Sequence, residues 1–427
     1  MTDLSTKVLP ELMAYQLPGI NSSDDLLFPR YSGYSLANIP STVCKLLNIP
    51  EFGEGPLAPS LLAELGGPYK RVILLVVDAL GYRLLNHLMI NGKAEFWRES
   101  LAGGVLMPLT SICPSTTASA LTTLWTGVSP ATHGIIGYEM WVKEFSMVIN
   151  NISHSAMSYA GDTGGLRRAG FDPNTFLERP LLGTHMHKHG VNPYAFMHSS
   201  ISSSGLSTMH LSDVSLHGYI CESDMWVSMR NKLNAEPNEH MFMYAYWSAV
   251  DTLSHRFGKG DERIALQFEN FSSMIRKGFI DDLSKEACKD TLLLMTADHG
   301  SVFTPKYSEF NLIDHPDLYA MLRIQPTCEN RFAFLFVRPG MIKAVQDYFD
   351  VTWPGKFTLI KSDQAIEAGL FGPGPFTETL FDRVGDLIAV AHEDAYLWWA
   401  KKTNLMLGRH GGLNPDEMLI PLFALPL

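Results

Sequence analysis

RVILLVVDAL, residues 71–80, sets six apolar side chains in a row and then stops at an aspartate. A strand with one face in water alternates apolar and polar residues, whereas a strand covered on both faces does not. The same texture returns in VNPYAFMHSS (191–200), MFMYAYWSAV (241–250), TLLLMTADHG (291–300) and RFAFLFVRPG (331–340). Between them, ERIALQFENFSSMIRKGFIDDL (262–283) spaces its apolar residues by three and four, the stripe of an amphipathic helix. Alternating strand and helix signals predict an α/β fold: a doubly wound, mostly parallel sheet sandwiched by helices. At 427 residues and 46% apolar side chains, the chain is expected to form one large domain with an insertion. Residues 1–65 are expected as an N-terminal extension packing on the core, 66–300 and 400–427 as the core itself, and 301–399 as a smaller inserted subdomain.

Composition narrows the function classes. A formal net charge of -11 argues against a nucleic-acid polymer as partner, because such binding rests on Lys and Arg at phosphates. The five cysteines (Cys44, Cys113, Cys221, Cys288 and Cys328) are scattered and odd in number, which suits a reducing compartment. The opening MTDLSTKVLPELMAYQLPGI has neither a basic leader nor an apolar core, and no stretch of about 20 apolar residues follows. A cytoplasmic protein without a membrane partner is the expectation. Oligomeric state has no signature in the sequence.

In open parallel sheets, ligands bind beyond the carboxyl ends of the strands. Three of the apolar runs end at a potential metal ligand: Asp78, Asp251, and Asp298 with His299. Asp251 is followed four residues later by His255 in DTLSH, and GRHGGLNPDEMLIPL sets His410 in a glycine-rich turn. Singly, each has a plain reading as a helix cap, a chance i,i+4 pair or a surface turn. Together, imidazoles and carboxylates in this order at strand ends suit Zn²⁺ or a similar first-row dication. TSICPSTTASALTTLWTG (110–127) adds hydroxyls and a thiol at Cys113, Ser115, Thr116, Thr117 and Ser119. Any of them could be a nucleophile or a helix cap, and these residues alone do not choose.

On these motifs the sequence resembles the alkaline phosphatase superfamily and, within it, the type I phosphodiesterase/nucleotide pyrophosphatase family. The resemblance covers residues 71–134 and 241–302, with the GRHGGLNPDEMLIPL block near the end. It implies an alkaline-phosphatase-like catalytic core with two divalent metal ions, usually Zn²⁺ with Mn²⁺ as the alternative, bridged by the substrate phosphate. By the resemblance, Asp251, His255 and His410 hold one ion, and Asp78, Asp298 and His299 hold the other together with the nucleophile. Members of the superfamily place that nucleophile ten residues before the Gly of a Thr-Gly pair. Here the pair is Thr126-Gly127, which selects Thr117, with Thr116 as its neighbour. A sulfatase reading of Cys113 fails, because Cys113 lies too far from Gly127 and no Arg follows Ser115.

One position departs from the family pattern. Where an Asn contacts a phosphate oxygen in the nucleotide pyrophosphatases, HGIIGYEMW sets Tyr138, a candidate substrate-binding residue or a packed wall. Monoester-specific members carry a cation there, and none occurs in this turn before Lys143. The implied activity is hydrolysis of phosphodiester or nucleotide pyrophosphate bonds in a small phosphate ester or nucleotide, through a covalent phospho-threonine. A phosphomonoesterase or phosphonate hydrolase using the same site is the alternative, and an inactive metal-binding protein is the third.

Overall fold

The computed structural model describes residues 2–20, 23, 25–158 and 165–427. Its centre is an eight-stranded sheet in the order Thr2–Asp3, Val105–Thr110, Leu419–Pro426, Thr291–Thr296, Arg71–Val77, Met241–Trp247, Asn192–His198, Ser215–Tyr219. Every residue of Arg71–Val77, Met241–Trp247 and Thr291–Thr296 is buried, which is why these segments show no alternation. Only Leu419–Pro426 runs against the rest, between Val105–Thr110 and Thr291–Thr296.

Thr291–Thr296, Arg71–Val77 and Met241–Trp247 lie side by side and parallel, with Thr296 opposite Val76 and Val76 opposite Tyr246. Their carboxyl ends therefore finish level, and the segments that follow them share one edge of the sheet. The amphipathic stripe from Glu262 folds as the helix Glu262–Met274, continued by a wider turn to Phe279. It buries Ile264, Phe268, Phe271, Ile275 and Phe279. Phe271 stacks on Trp247 with ring centroids 3.8 Å apart, tying the helix to the sheet.

The run 331–340 has a different home from its four companions. Phe332–Leu335 belongs to a second, seven-stranded antiparallel sheet. There Phe332 and Phe334 enter the main core, while Ala333 and Leu335 enter a second core with Trp353, Tyr396 and Trp398. Two cores bury both faces, so this strand also lacks alternation without being parallel. Four strands of the second sheet come from residues 327–391, and three (Glu139–Val142, Met147–Asn150 and Ser155–Ala156) come from the chain just after the first third of the main fold. At the other end of the molecule, Thr2–Asp3 forms the edge of the main sheet, so the N-terminal segment is tied into it. Among the described residues, no helix is long and apolar enough to cross a membrane.

Candidate active site

Three carboxylates meet beyond the level strand ends. Asp78 directly follows Arg71–Val77, and its amide donates to the Trp247 carbonyl at 2.9 Å. Asp298 lies two residues past Thr296, where its Oδ1 accepts from the amides of Ala79 (3.1 Å) and His299 (3.0 Å). Ala79 makes its bond from the left-handed region, at φ 62°, a conformation that costs a non-glycine residue about 1 kcal/mol and is tolerated where the surroundings demand it. Asp251 is carried not by a strand but by the first turn of the helix Ala249–Phe257, which brings it within 3.3 Å of His255 Nε2 one turn later.

Among the described residues, one oxygen of each carboxylate is buried without a hydrogen-bond donor: Asp78 Oδ1, Asp251 Oδ1 and Asp298 Oδ2. Burial, with Asp298 and Asp251 adding repulsion, pushes the Asp78 carboxyl well above the usual range, although the Tyr246 hydroxyl donates to its Oδ2. Among the described residues, no Lys or Arg forms an ion pair with any of the three.

The imidazoles are presented in one common way. His255 Nδ1 donates to the Gly408 carbonyl at 2.9 Å, His299 Nδ1 to that of Gly300 at 2.9 Å, and His410 Nδ1 to that of Ser115 at 3.2 Å. With the proton on Nδ1, each ring turns a lone pair on Nε2 towards the carboxylates, the arrangement a metal-bound histidine needs. Burial, then His299 and His255, holds His410 well below the ordinary imidazole range, so it adds no positive charge. His299 and His410 stack with centroids 3.8 Å apart.

Two tight groups of donor atoms result, Asp78–Asp298–His299 and Asp251–His299–His410, each with its atoms within 4.8 Å of one another. His299 belongs to both. His255 stands beside the second group through Asp251. Orphaned buried oxygens and Nε2 atoms turned towards them, with no Lys or Arg ion pair among the described residues, are a donor set that fits divalent metal ions.

Thr117 opens the helix Thr117–Thr126, with Thr116 as its extended N-cap. Thr117 Oγ1 lies 3.1 Å from His299 Nε2. The Thr116 side chain does not cap the helix. It donates instead to Glu329 Oε1 at 2.5 Å, which leaves the first-turn amides free to face an anion. The helix ends at Gly127, whose φ of 68° is the left-handed closure that glycine permits at no steric cost. Cys113 and Ser115 take no part in the cluster: the Cys113 thiol is buried, and the Ser115 hydroxyl donates to the Gly412 carbonyl.

Thr117 and the ligand cluster open into a cavity of about 460 Å³, which Tyr138, Trp398, Trp399 and Lys402 also line. The Tyr138 hydroxyl accepts from Asn150 Nδ2 at 2.6 Å. A larger, more open hollow of about 810 Å³ among residues 31–68 has, among the described residues, Lys45 as its only charged lining residue, so volume does not mark the site.

Several residues of the site carry no sequence signal. Glu329 sits against Thr116 from the second sheet, and burial lifts its carboxyl to about 8. Glu139, bonded to Trp399 Nε1 at 2.9 Å, is lifted to about 7 for the same reason. Behind His410, Glu417 and Arg331 form a fully buried two-pronged pair at 2.9 and 3.0 Å. Glu417 also accepts from the Gly412 amide at 2.9 Å, and so holds the turn that presents His410. The approach is close: a Cβ on Gly412 would meet Glu417 Oε2 at 2.9 Å. The side-chain partners Arg331–Glu417, Thr116–Glu329 and Glu139–Trp399 lie 86 to 260 residues apart in sequence, where no local spacing can reveal them.

The sequence profile of the family described as type I phosphodiesterase/nucleotide pyrophosphatase matches residues 72–413, well over half of the chain. Murine ectonucleotide pyrophosphatase/phosphodiesterase 5 superposes with a TM-score of 0.59 at 16% identity, over 82% of this chain and 87% of that one. An inactive threonine-to-alanine variant of that protein, in complex with AMP, gives 0.60 at 16% identity over the same shares. Phosphonoacetate hydrolase from Sinorhizobium meliloti 1021, in complex with phosphonoformate, gives 0.60 at 15% identity over 82% of this chain and 89% of that one. At such identities the superpositions speak for the fold, which is the alkaline-phosphatase-like α/β architecture. No protein in a search of curated sequences matches the chain.

Proposed function

Because the chain belongs to the type I phosphodiesterase/nucleotide pyrophosphatase family, whose members hydrolyse phosphoester bonds, we propose that it cleaves phosphodiester or nucleotide pyrophosphate bonds, with two divalent ions, Zn²⁺ or Mn²⁺, and Thr117 as nucleophile. The observation that carries this reading is the convergence of three partnerless carboxylate oxygens and three Nε2 atoms around a threonine at a helix start. Asp78, Asp298 and His299 would hold one ion, and Asp251, His255 and His410 the other. When bound, the ions supply positive charge that acidifies the Thr117 hydroxyl and offsets the charge growing on the phosphate.

The chain's own residues do the rest. Thr117 Oγ attacks phosphorus, the bond to the leaving oxygen breaks, and a phospho-threonine remains until water cleaves it and restores the hydroxyl. First-turn amides of the helix face the phosphate oxygens, and the helix dipole favours their charge. Tyr138 borders the leaving-group side, with its hydroxyl free to donate one hydrogen bond. Loss of activity on a threonine-to-alanine change in the murine relative supports a threonine in this role.

Charge favours diesters over monoesters. Among the described residues Lys402 is the only Lys or Arg lining the cavity, and Lys143 is turned to Asp382 at 3.0 Å. A singly charged phosphodiester needs less compensation than a doubly charged monoester.

The test is a substrate panel run on metal-loaded and chelated protein: bis-p-nitrophenyl phosphate, a nucleotide p-nitrophenyl ester, p-nitrophenyl phosphate and phosphonoacetate. The diester and the nucleotide ester should turn over fastest, chelation should abolish turnover, and Zn²⁺ or Mn²⁺ should restore it. Undiminished turnover after complete demetallation sinks the two-metal reading. Fastest turnover of the monoester or the phosphonate moves the protein to that class.

A further inference from the structure

On the far side of the segment that follows the Thr117 helix, a second cavity of about 320 Å³ shares no lining residue with the first. Arg383, a residue only 5% exposed, lines it. Buried charges in proteins are paired, because an unpaired one loses its hydration without recompense. Arg383 is not properly paired. Nη1 donates to the Gly134 carbonyl at 2.7 Å, Nη2 stands 3.9 Å from a half-exposed Glu144 oxygen, and Nε has no hydrogen-bond partner among the described residues. Burial lowers its pKa only to about 10, so the group is charged at neutral pH.

Arg179 lines the same cavity, and its side chain has no hydrogen-bond or ion-pair partner among the described residues. Thr377 and Thr379 add hydroxyls 3.4 Å apart. The other carboxylates on the rim do not answer the buried charge: Asp172 caps the turn Pro173–Phe176, and Glu178 is exposed. A planar guanidinium fork with vacant N–H groups, a second free guanidinium and two hydroxyls match a small tetrahedral oxyanion.

We propose that Arg383 and Arg179 form a second anion site, for a phosphate group, distinct from the metal-ligand cluster. The buried fork supplies orientation, and Arg179 closes over the anion from the rim. Arg383 also carries Gly134, and Thr377 donates its amide to the Ala131 carbonyl, so the site grips both ends of the turn that leads to Tyr138.

The experiment is calorimetric titration of the metal-loaded protein with inorganic phosphate, comparing the parent with Arg179→Ala. The parent should show one class of phosphate sites that Arg179→Ala weakens at least tenfold, while turnover of the best diester stays within twofold of the parent. Arg383→Lys, which keeps the charge and loses the fork, should weaken the same class. Since Arg383 also supports Gly134, that variant could fail to fold, and Arg179→Ala keeps the test decisive. A parallel titration with AMP separates the two sources of the group: competition for the Arg179-dependent class assigns a phosphoryl group on a carrier, and its absence assigns the free ion. Phosphate stoichiometry and affinity unchanged in Arg179→Ala overturn the proposal. That result is independent of the diesterase reading, which fails only if the parent turns over no phosphodiester.

Discussion

Removing both partners of the Arg331–Glu417 pair should cost far less than the two single removals added together. Each side chain is fully buried. Arg331 spends Nε and Nη2 on the carboxylate and donates Nη1 to the Ala395 carbonyl at 2.6 Å. Arg331→Met would leave Glu417 as a buried carboxylate with only the amides of Gly412 and Asn414, and Glu417→Leu would leave a buried guanidinium with one carbonyl. Breaking one side of such a pair costs about 3–5 kcal/mol, so additive singles would sum to about 6–10 kcal/mol. The double variant removes both charges and strands chiefly the Gly412 N–H and the Ala395 C=O, at about 1–3 kcal/mol each. It should therefore cost about 2–6 kcal/mol, below the sum of the singles. The assay is urea unfolding of the metal-loaded protein, followed together by far-UV circular dichroism and tryptophan fluorescence so that a single cooperative transition is verified. Because Glu417 holds the Gly412 turn, the Glu417→Leu protein should also retain less metal through His410. Singles costing under about 1 kcal/mol, or a double equal to their sum, would refute the idea that this pair fixes the turn.

Thr117→Ala should keep the parent's stability and lose about 10³-fold or more in turnover, roughly 4 kcal/mol of barrier, while Thr117→Ser keeps part of it. Acid-quench trapping with mass spectrometry should locate phosphate on Thr117, and a dead Thr116→Ala beside an active Thr117→Ala would move the nucleophile by one residue. For Glu329, burial raises the folded pKa from 4.5 to about 8, so the folded state holds the proton more tightly than the unfolded one. Its stabilising contribution is whole below about pH 4.5 and is lost as pH rises through about 8. The loss is at most ~5 kcal/mol, and nearer ~2 because the partly exposed carboxyl borders the cavity. Urea midpoints at pH 5, 7 and 9 should fall less steeply for Glu329→Gln, and parallel curves would show that Glu329 does not titrate in this range.

What the sequence discloses depends on how local the cause is. Asp78 and Asp298 stand out because strand burial and the ends of strands leave marks within a few residues, and DTLSH shows Asp251 and His255 because one helical turn joins them. His410, by contrast, has only glycines around it, and its place among the ligands is suggested by family resemblance rather than by pattern. The run 331–340 misleads because periodicity reports that both faces are covered, not what covers them. Here the covers are two separate cores. Glu329, Arg331 with Glu417, and Arg383 are silent in the sequence for another reason: each is defined by a partner on a distant segment, and an isolated Glu or Arg is read as a solvated surface residue until the fold removes its water.

The strand Leu419–Pro426 is the last of the eight in sequence and the third in the sheet. As the chain leaves the ribosome, Val105–Thr110 and Thr291–Thr296 emerge long before the strand that must lie between them. Until it arrives, two apolar strands present unpaired edges, the surfaces through which nascent chains associate wrongly. His410 and Glu417 travel on the same late segment. Closure of the sheet and completion of the proposed ligand set are thus a single event in biosynthesis, and a chain released before residue 408 has neither. Uptake of metal by all of these ligands then reports a property that no single ligand carries: the last strand is already in place.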